Sequence, residues 1–341
     1  MVRINEKSRL LQVLKGQGTP DRPPVICPGG MMNGAVTEIV EDIDGNHNVS
    51  WGPMVTAAKK VREFTGFENY GVPFCMTVEA EPFGVKLDFG SKDREPVVTE
   101  YNQMPVEEII KKYKNISLNS HRIPEVLKAI KELKNESVPV IGNITGAVST
   151  ATSIVDPLVL LKMMRKEPDR AYKFIEFINE KLIEYGLQML DSGADIIAVS
   201  DPTATGEILG KINFEKFAVP MFKKLTDEVH NAGASIIIHI CGDTTRIIDS
   251  LSLIGADAYS FDSIVSIKNA KPKLNTKIMG NVSTQLLQDG SPEQVAVNTA
   301  HCMNSGSDII APACGLGMST PVKNLKAMTA YVKGELFNAG S

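Results

Sequence analysis

The chain has 341 residues, 43% of them hydrophobic and 22% charged, with 36 basic and 40 acidic residues giving a net charge of -4. That is a globular composition with enough chain to bury a full core without disulfide staples. The balanced charge gives no footprint for nucleic acid, no uncharged apolar run reaches the ~20 residues of a membrane span, and the polar start at Met1 lacks a signal-peptide core.

The expected setting is therefore the cytoplasm, with neither nucleic acid nor membrane as a partner. An odd set of cysteines (Cys27, Cys75, Cys241, Cys302 and Cys314) suits a reducing compartment, where thiols stay free for metal or catalysis.

In chain order, residues 1–22 read as an N-terminal helical extension. Residues 24–27 read as a first strand and 74–78 as a second. The stretches 29–69 and 84–102 look long and irregular and are expected to cover the mouth of the fold. Residues 138–144 form a third strand, and Asp156-Pro157 opens a helix with a cap and a proline in its first turn. A long helix follows over 168–190, with Ala171, Phe174, Ile175, Ile178, Leu182, Tyr185 and Met189 at three- and four-residue steps.

A recurring pattern then sets in: an amphipathic run, a small-residue turn, and a short apolar run rich in β-branched residues. It occurs before residues 196–200, 236–240, 258–261 and 309–313, with a further strand at 277–282. Helices are expected over 295–303 and from Thr320-Pro321 onward. Eight strands alternating with helices predict an α/β fold, a (β/α)8 TIM barrel in one domain spanning residues 1–341. Neither G-x-G-x-x-G after an early strand nor a Walker-type phosphate loop is present.

In such a barrel the C-terminal strand ends meet at the active site. His239-Ile240-Cys241 ends one strand, and residues two apart on a strand share a side, so both can hold one ion. Cys314, at the end of the eighth strand, faces the same pocket. One imidazole and two thiolates suit zinc, and three protein ligands with a weak or open fourth position describe a catalytic site. Asp262, at the next strand end, is the expected displaceable fourth ligand. Glu79, Asn143, Asp201 and Asn281 end other strands and are expected as pocket wall or as supports for the reacting groups.

Cys27, Cys75 and Cys302 read as core fillers, and His47, His121, His230 and His301 as solvent-exposed. A zinc held by two protein thiolates carries little net charge, which favours a bound thiol over water as the nucleophile.

Arg22-Pro23-Pro24-Val25, Gly142-Asn143-Ile144-Thr145-Gly146 and Ser200-Asp201-Pro202 resemble the uroporphyrinogen decarboxylase-like superfamily of (β/α)8 barrels. His239-Ile240-Cys241-Gly242-Asp243 with Cys314 resembles one branch of it, the methylcobamide:coenzyme M methyltransferases of methylotrophic methanogens. The resemblance implies methyl transfer from a methylated corrinoid protein, or free methylcobalamin, to the thiol of coenzyme M (2-mercaptoethanesulfonate). It implies zinc held by His239, Cys241 and Cys314, with an acidic residue in the fourth place.

The true decarboxylases carry early arginines for substrate carboxylates. Cys27-Pro28-Gly29-Gly30-Met31-Met32-Asn33 has none here, and its glycines and methionines read instead as a rim for the corrin ring. For the sulfonate, the backbone amides of 142–146 and the Arg246 side chain are two expected sites. Rival readings are a metal-free lyase, a zinc methyltransferase acting on another thiol such as homocysteine, and a non-catalytic thiol- or corrinoid-binding subunit.

Overall fold

The computed structural model describes residues 4–335. Its strands are β1 (Tyr70–Val72), β2 (Lys86–Asp88), β3 (Val97–Glu100), β4 (Val140–Thr145), β5 (Ile196–Ser200), β6 (Ser235–Ile240), β7 (Ala258–Phe261) and β8 (Lys277–Met279). Six of them form one parallel sheet in the order β1, β4, β5, β6, β7, β8, and β2 pairs with β3 as an antiparallel hairpin. β4 to β7 are buried along their whole length, as parallel strands must be when helices cover the outside and side chains fill the inside.

Two short extended segments complete the ring. Ile309 pairs with Met279 of β8, and Ile310 pairs in parallel with Val25. Ile26 N donates to Ile310 O, and Ile310 N to Pro24 O, both at 2.9 Å. The last joint, between this first segment and β1, has one backbone bond, Glu68 N to Val25 O at 2.9 Å. The Asn69 side chain supplies the rest: Oδ1 accepts from Cys27 N and Nδ2 donates to Cys27 O, both at 2.9 Å. One amide thus replaces a ladder rung, and the sheet closes into a (β/α)8 barrel. Arg22, of the Arg-Pro-Pro motif, fixes the start of this first segment by donating to Glu68 at 2.9 Å, and Glu68 also accepts from Val25 N at 3.1 Å.

The long helix runs over Pro168–Ser192, and all seven residues expected to face the core are buried. Asp156 caps the helix Pro157–Lys166 by accepting from Leu158 N and Val159 N. The helices Pro292–Asn304 and Val322–Lys333 cover the other two expected stretches. The N-terminal extension is a single helix, Glu6–Leu14; residues 1–3 of the expected extension and 336–341 of the expected domain lie outside the described residues. Among the described residues no single helix is long and apolar enough to cross a membrane.

Three expectations need correction. The second strand is Tyr70–Val72, not residues 74–78: Pro73 has no N–H to continue the ladder, so the apolar run after it packs as a buried loop. Neither 29–69 nor 84–102 is irregular throughout, because Trp51–Thr65 is a 15-residue helix burying Met54, Ala57, Ala58 and Val61, and β2 and β3 pair as a hairpin within the second stretch. The Gly52-Pro53 start of that helix resembles a turn, yet proline is tolerated in a first helical turn, where its missing N–H would be unpaired anyway. Finally, His47 is buried rather than exposed, packed edge-on against Phe74 at 5.6 Å between ring centres. His121, His230 and His301 are exposed.

Candidate metal centre

The register of the central strands places the reactive side chains. Thr145, Ser200, His239 and Ser260 are successive partners across β4, β5, β6 and β7. Partners on neighbouring parallel strands point to the same side, so the His239 ring lies beside the Ser260 hydroxyl, Nδ1 to Oγ 3.0 Å. Both are buried, His239 at 3% exposure and Ser260 at 0%. The other ring nitrogen, Nε2, lies 3.2 Å from Cys241 Sγ, and Cys241 Sγ lies 3.5 Å from Cys314 Sγ.

The ligand atoms of His239, Cys241 and Cys314 all fall within 4.8 Å of one another, with the histidine buried and both thiols half-buried at the mouth. A tetrahedral zinc with bonds of about 2.0–2.3 Å needs donor–donor edges of about 3.5–3.8 Å. The observed separations sit just inside that, so a modest outward movement of the side chains accommodates an ion, and the donor set fits zinc.

The two thiols are electrostatically unlike. The hydrogen bond from Cys241, reinforced by His239, draws the Cys314 thiol below the usual thiol range. Cys241 is pushed up by its bond to Cys314, by burial, and by the negative charges of Cys314, Asp262 and Asp201. Binding a dication would favour both sulfurs as thiolates.

Asp262 lies beside this group without joining it. Its Oδ2 accepts from Gly242 N and its Oδ1 from Ile264 N, both at 3.3 Å, and it is not among the grouped ligands of the described residues. Asp201 is buried and caps the helix Ala147–Ile154, accepting from Val148 N at 3.0 Å and from Ser149 N at 2.9 Å. Glu79 is buried in the loop after β1 and accepts from Thr145 N at 2.7 Å and Thr145 Oγ1 at 3.1 Å. Burial raises Glu79 to about 7 and Asp201 to about 6.

Asn143 donates to Pro28 O at 2.7 Å and Val72 O at 3.2 Å. Asn281 donates to Asp262 O at 2.9 Å and Val265 O at 2.8 Å. These four polar groups therefore shape the loops around the triad. Arg246 is exposed on the loop after Cys241.

The expected amide site for an anion is not formed. Thr145 N serves Glu79, Gly146 N donates to Ser200 O, and the first-turn amides of the next helix serve Asp201. Of the remaining cysteines, Cys27 is pushed up to about 12 by burial and donates to Met32 O at 3.0 Å. Cys302 is buried and donates to Asn281 Oδ1 at 3.7 Å. A cavity of about 600 Å³ opens at the opposite end of the barrel among Arg9, Arg22, Asp21 and Glu68, charges already paired with one another.

Sequence reasoning missed three residues. Ser260 was legible in principle, since it lies two residues before Asp262 on an inward-facing alternation. Arg122 was not: its guanidinium is buried and donates to Glu81, Asn48 O, Cys75 and Thr77, partners scattered over residues 48–81. Met31, expected only as rim, brings its thioether sulfur to 3.1 Å from Cys241 Sγ.

The family described as uroporphyrinogen decarboxylase (URO-D) matches residues 5–334. The chain is 32% identical to the methylcobamide:CoM methyltransferase MtbA of Methanosarcina mazei, over 98% of this chain and 99% of that one. It is 26% identical to the methylcobamide:CoM methyltransferase MtaA of Methanosarcina barkeri, over 95% and 96%. A solved methyltransferase from Methanosarcina mazei superposes with a TM-score of 0.86 at 27% identity, covering 97% of this chain and 99% of that one. The chain belongs to the uroporphyrinogen decarboxylase (URO-D) family, in the branch that contains the methylcobamide:CoM methyltransferases.

Proposed function

We propose that this protein is a zinc-dependent methyltransferase that moves a methyl group from a methylated corrinoid to the thiol of coenzyme M. The observation that carries the reading is the convergence of His239, Cys241 and Cys314 at the barrel mouth. Near-full-length likeness to methylcobamide:CoM methyltransferases supports the choice of donor and acceptor. We further propose that residues 1–341 act as one catalytic domain in the cytoplasm, and that a corrinoid protein presents the donor.

His239 Nε2 and the sulfurs of Cys241 and Cys314 would hold the ion. Zinc, when bound, lowers the pKa of a thiol so that it persists as thiolate at neutral pH. The protein contributes the rest by positioning. With Nε2 facing the thiols, a metal-binding His239 carries its proton on Nδ1 and donates it to Ser260 Oγ, which fixes tautomer and ring plane. His239 is buried below the half-exposed thiols, so the open approach to the site is from the mouth.

Asp201, Glu79, Asn143 and Asn281 set the backbone of the surrounding loops, which holds acceptor and donor in line. Arg246 is the exposed cation on the loop after Cys241 and is assigned to the sulfonate. The acceptor sulfur forms a bond to the methyl carbon as the carbon–cobalt bond breaks. The electron pair leaves on cobalt as Co(I), and the thiol proton passes to solvent.

The test is demethylation of free methylcobalamin, followed by visible absorbance, with zinc-loaded and chelator-treated protein and either coenzyme M or homocysteine. Zinc-dependent turnover with coenzyme M is the expected result. Turnover with homocysteine alone would move the acceptor, and turnover that survives complete metal removal would refute the mechanism.

A further inference from the structure

We infer that Cys241 and Cys314 form a reversible redox switch: a small-molecule disulfide oxidises the pair to one Cys241–Cys314 bond, and the metal is discharged. The inference rests on the metal-binding part of the reading above, with the proposed acceptor supplying the identity of the oxidant.

Two cysteines are placed for this chemistry and three are not. Cys27, Cys75 and Cys302 are 4%, 2% and 2% exposed, and each lies against a partner other than a thiol. Cys27 donates to Met32 O at 3.0 Å, Cys302 donates to Asn281 Oδ1 at 3.7 Å, and Cys75 accepts from Arg122 at 3.3 Å. Cys241 and Cys314 are half-buried at the mouth, with their sulfurs 3.5 Å apart. Two thiolates on one tetrahedral zinc lie about 3.8 Å apart, so the metal-bound pair keeps nearly the same spacing. A disulfide bond of about 2.0 Å asks for a closure of about 1.5 Å.

The local backbone suits that closure. Each cysteine is followed by a glycine, Gly242 and Gly315, and Gly242 takes φ 66°, a conformation that a side chain would resist. A tight hairpin over residues 28–33 packs against both segments. It is closed by Gly29 N donating to Met32 O at 3.2 Å and Met32 N to Gly29 O at 3.0 Å. Its Met31 Sδ lies 3.1 Å from Cys241 Sγ, and a Cβ added at Gly315 would come 3.0 Å from Met31 O. The hairpin therefore holds the two thiol-bearing segments together after the ion has left.

The steps balance with the small disulfide, RS–SR, as the one oxidant. One cysteine sulfur attacks a sulfur of RS–SR, whose S–S bond breaks, and RS⁻ leaves with the electron pair. The other cysteine sulfur attacks the cysteine sulfur of this mixed disulfide, forming the Cys241–Cys314 bond and releasing a second RS⁻. The protein pair gives up two electrons and RS–SR takes them. Zn²⁺ departs, because His239 alone remains of its three donors. The proposed acceptor is a thiol, so its own oxidised form is such a disulfide. The site thus disarms when the acceptor is oxidised, and a bond exposed at the mouth is open to reduction by returning thiol.

The test treats zinc-loaded full-length protein with the disulfide of coenzyme M in the absence of oxygen. Zinc release is followed with a chromophoric chelator against an untreated control, and unreduced peptides are mapped by mass spectrometry. One zinc per chain should be released, with Cys241 joined to Cys314 and with Cys27, Cys75 and Cys302 still free thiols. Excess coenzyme M should then reopen the bond and let added zinc rebind. In Cys314→Ser the reaction should stop at a mixed disulfide on Cys241.

Zinc retained with both thiols free overturns the switch while leaving the metal site standing. Release that ends in two mixed disulfides, or in a bond from Cys241 to another cysteine, overturns the pairing. A bond that excess coenzyme M does not reopen overturns the reversibility. A protein that holds no zinc at the outset overturns the metal reading, and the discharge falls with it.

Discussion

Replacing Ser260 by alanine removes the hydroxyl beside His239 Nδ1, at 3.0 Å in a pair with 0% and 3% exposure. Alanine fits the same space, so packing is nearly conserved. The metal-bound ring must keep its proton on Nδ1 because Nε2 is the donor to the ion. Without Ser260 that N–H faces a buried wall, an orphaned donor worth about 1–3 kcal/mol. The metal-free ring escapes this cost by moving its proton to Nε2 and donating it to Cys241 Sγ, 3.2 Å away.

The penalty therefore falls on the metal-bound state alone, a loss of roughly 10–100-fold in zinc affinity. Competition against a chromophoric chelator measures it directly, and thermal melts of the metal-free proteins should nearly coincide. Zinc affinity of Ser260→Ala within twofold of the parent would refute the argument, as would an equal loss of metal-free stability.

Other substitutions separate ligands from supports and test the buried charges. Cys241→Ala should abolish tight zinc binding, while Asn281→Ala, which only loosens the loop bonds to Asp262 O and Val265 O, should leave the metal in place by elemental analysis. Glu79 has its folded pKa raised by burial to about 7 against an ordinary 4.5, so its contribution to stability is complete below about pH 4.5 and is lost as pH rises to about 7. Denaturant melts of the parent should show that decline, up to about 3 kcal/mol, and Glu79→Gln should flatten it; an unchanged slope would sink the assignment. Arg122→Met leaves Glu81 without its 2.9 Å partner in a buried site, and a loss of about 3–5 kcal/mol is expected by urea denaturation.

The parts of this protein that sequence reasoning recovered are those carried by local pattern. The strand Ser235–Ile240 reads directly from its β-branched run after Asn231-Ala232-Gly233, and the helix Pro168–Ser192 from its spacing. His239 and Cys241 follow from the two-residue period of a strand, and Cys314 from the expected end of the last one.

What local pattern does not carry was lost. Tyr70–Val72 is too short and too interrupted by glycine to announce itself beside the louder apolar run after Pro73. Asp201 and Glu79 are legible as polar groups that end apolar stretches, but their partners are not. Only three-dimensional contact reveals that their charges are engaged by amides of neighbouring elements. Met31 was visible as a flexible methionine on a glycine turn, but no one-dimensional signal says which side chain across the barrel its sulfur meets.

The Asn69 clasp has a mechanical consequence. Around most of the ring, neighbouring staves are riveted by backbone ladders, and β6 and β7, which carry His239 and Ser260, share four registered pairs. The first stave is joined to β1 by one backbone bond and an amide side chain, a compliant joint that can tilt without shearing the rest. That stave runs straight into the hairpin of Met31. His239 and Ser260, by contrast, sit on fully laddered strands on the far side of the barrel from that joint.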